Sequence, residues 1–292
     1  MDIRTTLQQG SRLLEEAGIP EPRLTAEVLL AHATKRDRTW LFGHADETLD
    51  GITGVRYNTF LQERTRGKPC QYIIGRQEFY GRDFLLTKDT FIPRPETEYV
   101  VEQALKLVPR PGALVDVGCG CGAIAIAVGL EAGAAVRVWG TDISPAAVAV
   151  ARGNAKRLTA RASFMTCDLA SAVADHSVDV LVSNPPYIPT TEEKGLPREV
   201  RDYEPRIALF AGPDGLDFYR RLIAEAPRVL KPGGCIVFEL GYRQVDDVQA
   251  MLDERWKDVL VISDLAGLPR VFSARLAAAQ PAATESTAAA SE

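Results

Sequence analysis

The chain lacks the features that mark several protein classes. No stretch approaches the ~18–20 uninterrupted apolar residues of a membrane-spanning helix, so no membrane association is expected. Its first residues, Met1 to Thr6, do not resemble a basic region followed by an apolar signal segment. Cysteine is scarce: five in 292 residues (Cys70, Cys119, Cys121, Cys167, Cys235), an odd number without CxxC spacing. This disfavours a structural zinc site or a disulfide framework and points to a reducing, cytoplasmic setting. An excess of basic residues is missing too. With 34 Lys+Arg against 39 Asp+Glu the formal charge is −5, which argues against coating nucleic acid through bulk charge, although a local basic patch would escape that count. His32 and His44 stand isolated, with no catalytic constellation around them. What is present is an ordinary soluble composition, 46% hydrophobic and 25% charged, long enough for one large domain or two modest ones.

Residues 1–78 read as a helical domain. Ile3, Leu7 and Leu14 recur at helical spacing, and Gly18 with Pro20 supplies a stop. A second helix is expected over Pro22–Ala33, with Leu24, Val28 and Ala31 on one face. A third is expected from Ile52 to Arg66, with Ile52, Val55, Thr59 and Phe60 inward. The texture changes over 79–95. Phe79–Leu86 suggests a strand, Thr87–Asp89 a turn and Thr90–Ile92 a return strand, a hairpin linking two domains. Pro93 and Pro95 bias their predecessors toward extended backbone, and Pro95 suits the first turn of a helix reaching Val108. Residues 96–276 alternate short apolar runs (near 113–117, 136–141, 162–166, 178–183 and 234–240) with helical stretches (near 122–131, 145–158, 214–230 and 242–254). That is the α/β pattern of a parallel sheet covered on both faces, finished by a hairpin of 258–263 and 269–276. Residues 277–292, rich in Ala, Ser and Thr, are expected to form a disordered tail.

Two loops carry chemistry. In Leu114-Val115-Asp116-Val117-Gly118-Cys119-Gly120-Cys121-Gly122 a buried strand runs into three alternating glycines and then a helix. Glycine lets a ligand approach the backbone. A dinucleotide loop would offer its helix N-terminus to a pyrophosphate. Asp116 would repel phosphate there but suits a cation such as an amino-acid ammonium, so the pattern favours S-adenosylmethionine over NAD. Asp142 ends the next strand 20 residues beyond Gly122, the interval at which a carboxylate reaches ribose hydroxyls, though it could instead cap the following helix. After the third strand, Asp168 could accept from an adenine amino group and Leu169 flank the ring; a plain cap is the alternative. Cys119 and Cys121 read as small residues filling the loop.

The second loop, Ser183-Asn184-Pro185-Pro186-Tyr187, ends the fourth strand. Neither proline has an N–H and both fix φ, leaving carbonyls available as acceptors. With the Asn184 carbonyl they can take both hydrogens of a planar –NH2 group, while Tyr187 packs on its face. An amide nitrogen attacks a methyl sulfonium poorly because its lone pair is delocalised. Acceptors on both N–H groups favour a pyramidal nitrogen, which stabilises the transition state more than the ground state. No strong base is needed before attack, since the cationic product nitrogen loses a proton readily afterward.

These residues resemble class I methyltransferases with an N-P-P-Y motif. That motif is shared by protein glutamine methyltransferases, N6-adenine DNA methyltransferases and some rRNA guanine methyltransferases. Phe79–Phe84 with Ile92-Pro93-Arg94-Pro95-Glu96-Thr97-Glu98, the Tyr203-Glu204-Pro205 segment and the Leu14–Ala31 stretch are together similar to the protein-(glutamine-N5) methyltransferases. The resemblance covers nearly the whole chain apart from the tail. It implies a Rossmann-like, mostly parallel seven-stranded sheet behind a small helical substrate-recognition domain, acting as a monomer. It further implies S-adenosylmethionine as methyl donor and the Gly-Gly-Gln glutamine of peptide chain release factors as acceptor. Asn184, Pro185, Pro186 and Tyr187 would then be catalytic and substrate-binding. Asp116, Gly118, Cys119, Gly120, Cys121, Gly122, Asp142, Asp168, Leu169 and Asn184 would hold the cofactor. One departure is that cysteines stand at 119 and 121, where that family commonly has Thr or Ser. Two alternatives stay open: a ribosomal protein as the glutamine substrate, or a nucleic-acid amine, for which Arg94, Arg198, Arg201 and Arg206 could form a basic face. No stable nucleic-acid partner is expected.

Overall fold

The computed structural model describes residues 1–278; the expected tail falls almost entirely outside them. Five helices come first: α1 (Ile3–Glu16), α2 (Pro22–Thr34), α3 (Arg38–Gly43), α4 (Gly51–Thr65) and α5 (Cys70–Ile74). Asp2, Asp37 and Asp50 each cap a helix by accepting an amide three residues on. Ile3, Leu14, Leu29, Leu30, Tyr57 and Leu61 form the centre of this helical core. Two expectations need correction. Ile52 and Val55 face solvent (75% and 69% exposed), and α4 instead buries Tyr57, Leu61 and Arg64. Leu24 is likewise exposed, and α2 turns Ala26, Leu29, Leu30 and Ala33 inward.

A two-stranded hairpin follows, β1 (Arg76–Phe79) and β2 (Arg82–Leu85). Its turn is Tyr80-Gly81, both at positive φ (53° and 70°), which suits the right-handed twist of a tight hairpin. The hairpin therefore starts and turns earlier than expected, and Thr90–Ile92 forms no strand.

The remainder is α6 (Glu98–Leu107), β3 (Gly112–Val117), α7 (Ala123–Ala132), β4 (Val136–Asp142), α8 (Pro145–Leu158), β5 (Ala162–Thr166) and β6 (Val178–Ser183). Then come α9 (Arg198–Tyr203), α10 (Asp217–Val229), β7 (Leu230–Glu239), α11 (Val245–Ala250), β8 (Trp256–Ser263) and β9 (Pro269–Leu276). The strands form one seven-stranded sheet in the order β5-β4-β3-β6-β7-β9-β8. All pairs from β5 to β7 are parallel; β9 is antiparallel to β7 and to β8. Alternation along β3 separates two cores. Leu114 packs with α6, α7 and α8 on one face, whereas Ala113, Val115 and Val117 join Tyr219, Leu222 and Ala226 of α10 on the other. Helix α7 is apolar on all sides but for Glu131 near its end and buried from Ala123 through Gly129, which places it against the middle of the sheet. Successive connections leave β3 in one direction along the sheet and β6 in the other. The crevice beyond the carboxyl ends of β3 and β6 is thus the switch point at which such sheets bind ligands. Among the described residues no helix is long and apolar enough to cross a membrane.

Candidate active site

Both loops open from that crevice into one cavity of about 370 Å³, within the range of small-molecule sites. Asp116, Gly118, Cys119, Gly120, Cys121 and Asp142 line one side; Asn184, Pro185, Pro186 and Tyr187 line the other. Asp168 and Leu169 complete the first side. The two strand ends are fastened together, because buried Ser183 Oγ donates to Val117 O at 2.6 Å.

The glycine loop holds its shape through its own main chain. Gly118 N and Cys119 N both donate to Thr141 O (2.8 and 2.9 Å), and Gly122 N donates to Cys119 O (2.7 Å). Gly120 N donates to Asp142 Oδ2 (2.9 Å), while Ser144 N donates to Asp142 Oδ1 (2.9 Å). These amides are not free for a phosphate. At the start of α7, Ala125 N donates to Asp116 Oδ2 at 3.0 Å. The other oxygen, Asp116 Oδ1, is buried without a partner. Burial pushes the Asp116 carboxyl up to about 7, and the nearby Asp142 charge adds to the rise. An unsatisfied carboxylate oxygen beside a cavity is complementary to a cationic ligand group.

The three glycines differ in function. Gly118 (φ +74°) and Gly120 (φ +53°) have nothing within 4 Å of where a Cβ would stand, so a side chain would project into open space. Gly122 (φ +85°) does not line the cavity; a Cβ there would meet Ile126, Ala151 and Phe164 at 3.0–3.1 Å. Its role is to let α7 close on the sheet. The Cys119 and Cys121 thiols are buried, which raises both above the ordinary thiol value, Cys121 to about 12, and leaves them neutral. Asp168, offered above as an adenine acceptor, is held by Arg221 of α10 at 2.6 Å with both side chains half-exposed.

In the second loop Asn184 lines the cavity with its amide orientation set from behind. Its Nδ2 donates to Thr97 Oγ1 (3.1 Å), and that hydroxyl donates to Glu239 Oε2 (2.6 Å). The Asn184 carbonyl is left as the outward acceptor. Among the described residues nothing donates to the Pro185 or Pro186 carbonyls. Gln244 Nε2 braces the loop from below by donating to Tyr187 O (2.9 Å) and Gly215 O (3.2 Å). Burial raises the Tyr187 phenol above its ordinary range, so the ring stays neutral. Sequence reasoning missed Thr97, Ser183, Glu239 and Gln244 as supports. The signal at Glu239 was a single carboxylate ending the apolar run Ile236-Val237-Phe238.

A short segment roofs the cavity through Leu196, Val200, Pro205 and Ile207. Arg64 of α4 pairs with Glu199 (2.7 Å), and Tyr203 Oη donates to Arg66 O (3.0 Å). Glu204, buried, pairs with Arg94 and accepts from Ile92 N (3.3 Å). All four arginines suggested as a basic face have carboxylate partners: Arg94 with Glu204, Arg198 and Arg201 with Asp202, and Arg206 with Glu193. The four arginines thus share three carboxylates, Asp202 facing two of them, so most of their charge is balanced locally.

Comparison with known proteins gives the family. A family described as the PrmC N-terminal domain matches residues 5–75, and the methyltransferase small domain matches 98–196. A release factor glutamine methyltransferase from Koribacter versatilis is 40% identical, covering 94% of this chain and 99% of its own. One of the same name from Geobacter sulfurreducens is 40% identical over 94% of this chain and 96% of its own. Among solved structures, a methyltransferase from Pyrococcus furiosus superposes with a TM-score of 0.51 at 18% identity, covering 68% of this chain and 90% of that one, a likeness of fold. On identity across nearly its whole length, the chain belongs to the release factor glutamine methyltransferase family.

Proposed function

We propose that the protein methylates the side-chain amide nitrogen (N5) of the glutamine in the Gly-Gly-Gln motif of peptide chain release factors, using S-adenosylmethionine and leaving S-adenosylhomocysteine. The observation that carries the reading is the outward Asn184 carbonyl, fixed by the Thr97 bond, beside two proline carbonyls without donors. S-adenosylmethionine, when bound, supplies a methyl group on a positively charged sulfur. The chain's own residues do the rest. Asn184 and the Pro185 and Pro186 carbonyls accept the two amide hydrogens and hold the nitrogen with its lone pair aimed along the cavity. Tyr187 covers the amide face and excludes water. Asp116 Oδ1 suits the ammonium, Asp142 the ribose hydroxyls, and Leu169 the adenine face, with Gly118 and Gly120 leaving room for them. Residues 1–78 recognise the body of the release factor, 79–95 link, and 96–276 carry the chemistry. With such a substrate the protein would act in the cytoplasm, and we take it to act as a monomer.

The test supplies labelled cofactor to a release factor, a ribosomal protein and DNA side by side. Label is expected in the release factor alone and lost when its motif glutamine becomes alanine; label in DNA or in the alanine form overturns the reading. Asn184→Ala should lower turnover about 100-fold or more while cofactor affinity stays within about twofold. Equal losses in both would refute its assigned role.

A further inference from the structure

We propose that Thr97 and Glu239 are positioning residues for methyl transfer: through one directed pair of hydrogen bonds they hold the Asn184 side chain with its oxygen, not its nitrogen, toward the acceptor amide. This rests on the reading of Asn184 given above. A primary amide is nearly symmetric in shape, so packing alone discriminates poorly between its two orientations. The wrong one would point an –NH2 at another –NH2 and lose the acceptor that the reaction requires.

Direction comes from Glu239. It ends β7 with 2% exposure, 142 residues from Thr97 in sequence but 2.6 Å from its hydroxyl. An ionised carboxylate only accepts, so the Thr97 hydrogen must point to Glu239, leaving the Thr97 oxygen to accept. The group facing that oxygen must then donate, and the group present is Asn184 Nδ2 at 3.1 Å. A neutral Glu239 could donate instead, which reverses the hydroxyl and permits the amide to turn over. Burial pushes the Glu239 carboxyl up to about 7, with the Thr97 bond and the Arg270 and Arg94 charges opposing and Glu96 adding to the rise. The other titratable groups around it are Tyr187 and Tyr219, both driven upward by burial and therefore neutral; the Tyr219 hydroxyl donates to the Glu239 main-chain carbonyl at 2.8 Å. Arg270 is itself held by Asp264 at 2.8 Å. The ionised form, and with it the productive amide orientation, is thus lost as pH falls through about 7.

The experiment compares the full chain with Thr97→Val, Thr97→Ser, Glu239→Gln and Asn184→Ala. Turnover is measured at saturating cofactor from pH 5.5 to 8.5, and cofactor affinity by calorimetry. Thr97→Val should lower kcat about 10- to 100-fold, with release-factor KM and cofactor Kd within about twofold, and Thr97→Ser should recover most of the loss. Wild-type kcat should fall on the acid side, and Glu239→Gln should be slower at pH 8 without that acid limb. A Thr97→Val kcat within twofold of wild type, an acid limb retained in Glu239→Gln, or a parallel loss of cofactor affinity in Thr97→Val overturns the proposal. Should Thr97→Val not fold, Thr97→Ser and the wild-type and Glu239→Gln pH profiles decide. If Asn184→Ala is inactive while Thr97→Val is not, only the positioning pair fails; if Asn184→Ala remains active, the reading beneath it fails.

Discussion

The proposed role of Asp116 would make cofactor binding a proton-linked event. Its carboxyl has a folded value of about 7, one oxygen spent on Ala125 N and the other buried without a partner. A ligand ammonium beside that oxygen favours the ionised form and draws the value back down. About three-quarters of the carboxyl is ionised at pH 7.5 and about one-thirtieth at pH 5.5, a ratio of roughly 25. An α-amino group titrates near 7.7–8.0, so partial loss of its own proton at pH 7.5 trims the effect to roughly 15- to 20-fold. S-adenosylmethionine affinity should therefore weaken by that factor, about 1.7 kcal/mol, as pH falls from 7.5 to 5.5. Calorimetry in two buffers of different ionisation enthalpy should register release of close to one proton per cofactor at the acid end. Asp116→Asn should bind weakly and show neither effect. A Kd constant within twofold across the window, without proton release, would refute the assignment.

The two outer glycines of the loop should separate function from folding. Gly118→Ala, at φ +74° but facing open space, should cost about 1 kcal/mol in stability and at least tenfold in cofactor affinity. Gly122→Ala should cost about 2–4 kcal/mol in chemical denaturation because its new methyl meets three side chains; the reverse ranking would contradict the cradle. Asp142→Asn should weaken cofactor binding about 10- to 100-fold, with turnover at saturation within about threefold, and unchanged affinity by calorimetry would remove the ribose role. Glu239 also carries a stability signature. Its folded value of about 7 exceeds the ordinary 4.5, so the folded state binds more protons across that window, and stability falls as pH rises through it. The loss is on the order of 3 kcal/mol. The Tm advantage of Glu239→Gln over wild type should thus grow by roughly 5 °C or more between pH 5 and pH 8 by scanning fluorimetry. A constant difference would show that the carboxyl is not strained by burial.

The sheet and both loops were legible because their signals are local. An apolar run ending in Asp116 and spaced glycines, or in Asn184 and two prolines, states its own conformation. The helical part was harder to read. Along α4 the apolar residues lie on more than one face, so periodicity did not single out Tyr57 and Leu61, and the charge of the buried Arg64 is balanced by Glu199, 135 residues away. The hairpin turn was misplaced because Lys88-Asp89 is polar, whereas the true turn sets a tyrosine at positive φ beside Gly81. Within the site, Glu239 stood out as a carboxylate ending an apolar run, but its role and that of Thr97 were unreadable for the same reason as Arg64. Their meaning arises from three segments far apart in sequence meeting behind one amide, and no spacing rule reports that.

The bond from Ser183 to Val117 joins the ends of neighbouring strands whose backbones run about 4.8 Å apart. The lateral offset between the glycine-loop side of the cavity and the Asn184 side is therefore a lattice constant of the sheet. It is not left to loop fluctuation, and alignment inherits the stiffness of the parallel ladder. On the proposed roles of the two loops, aim would then follow from strand spacing.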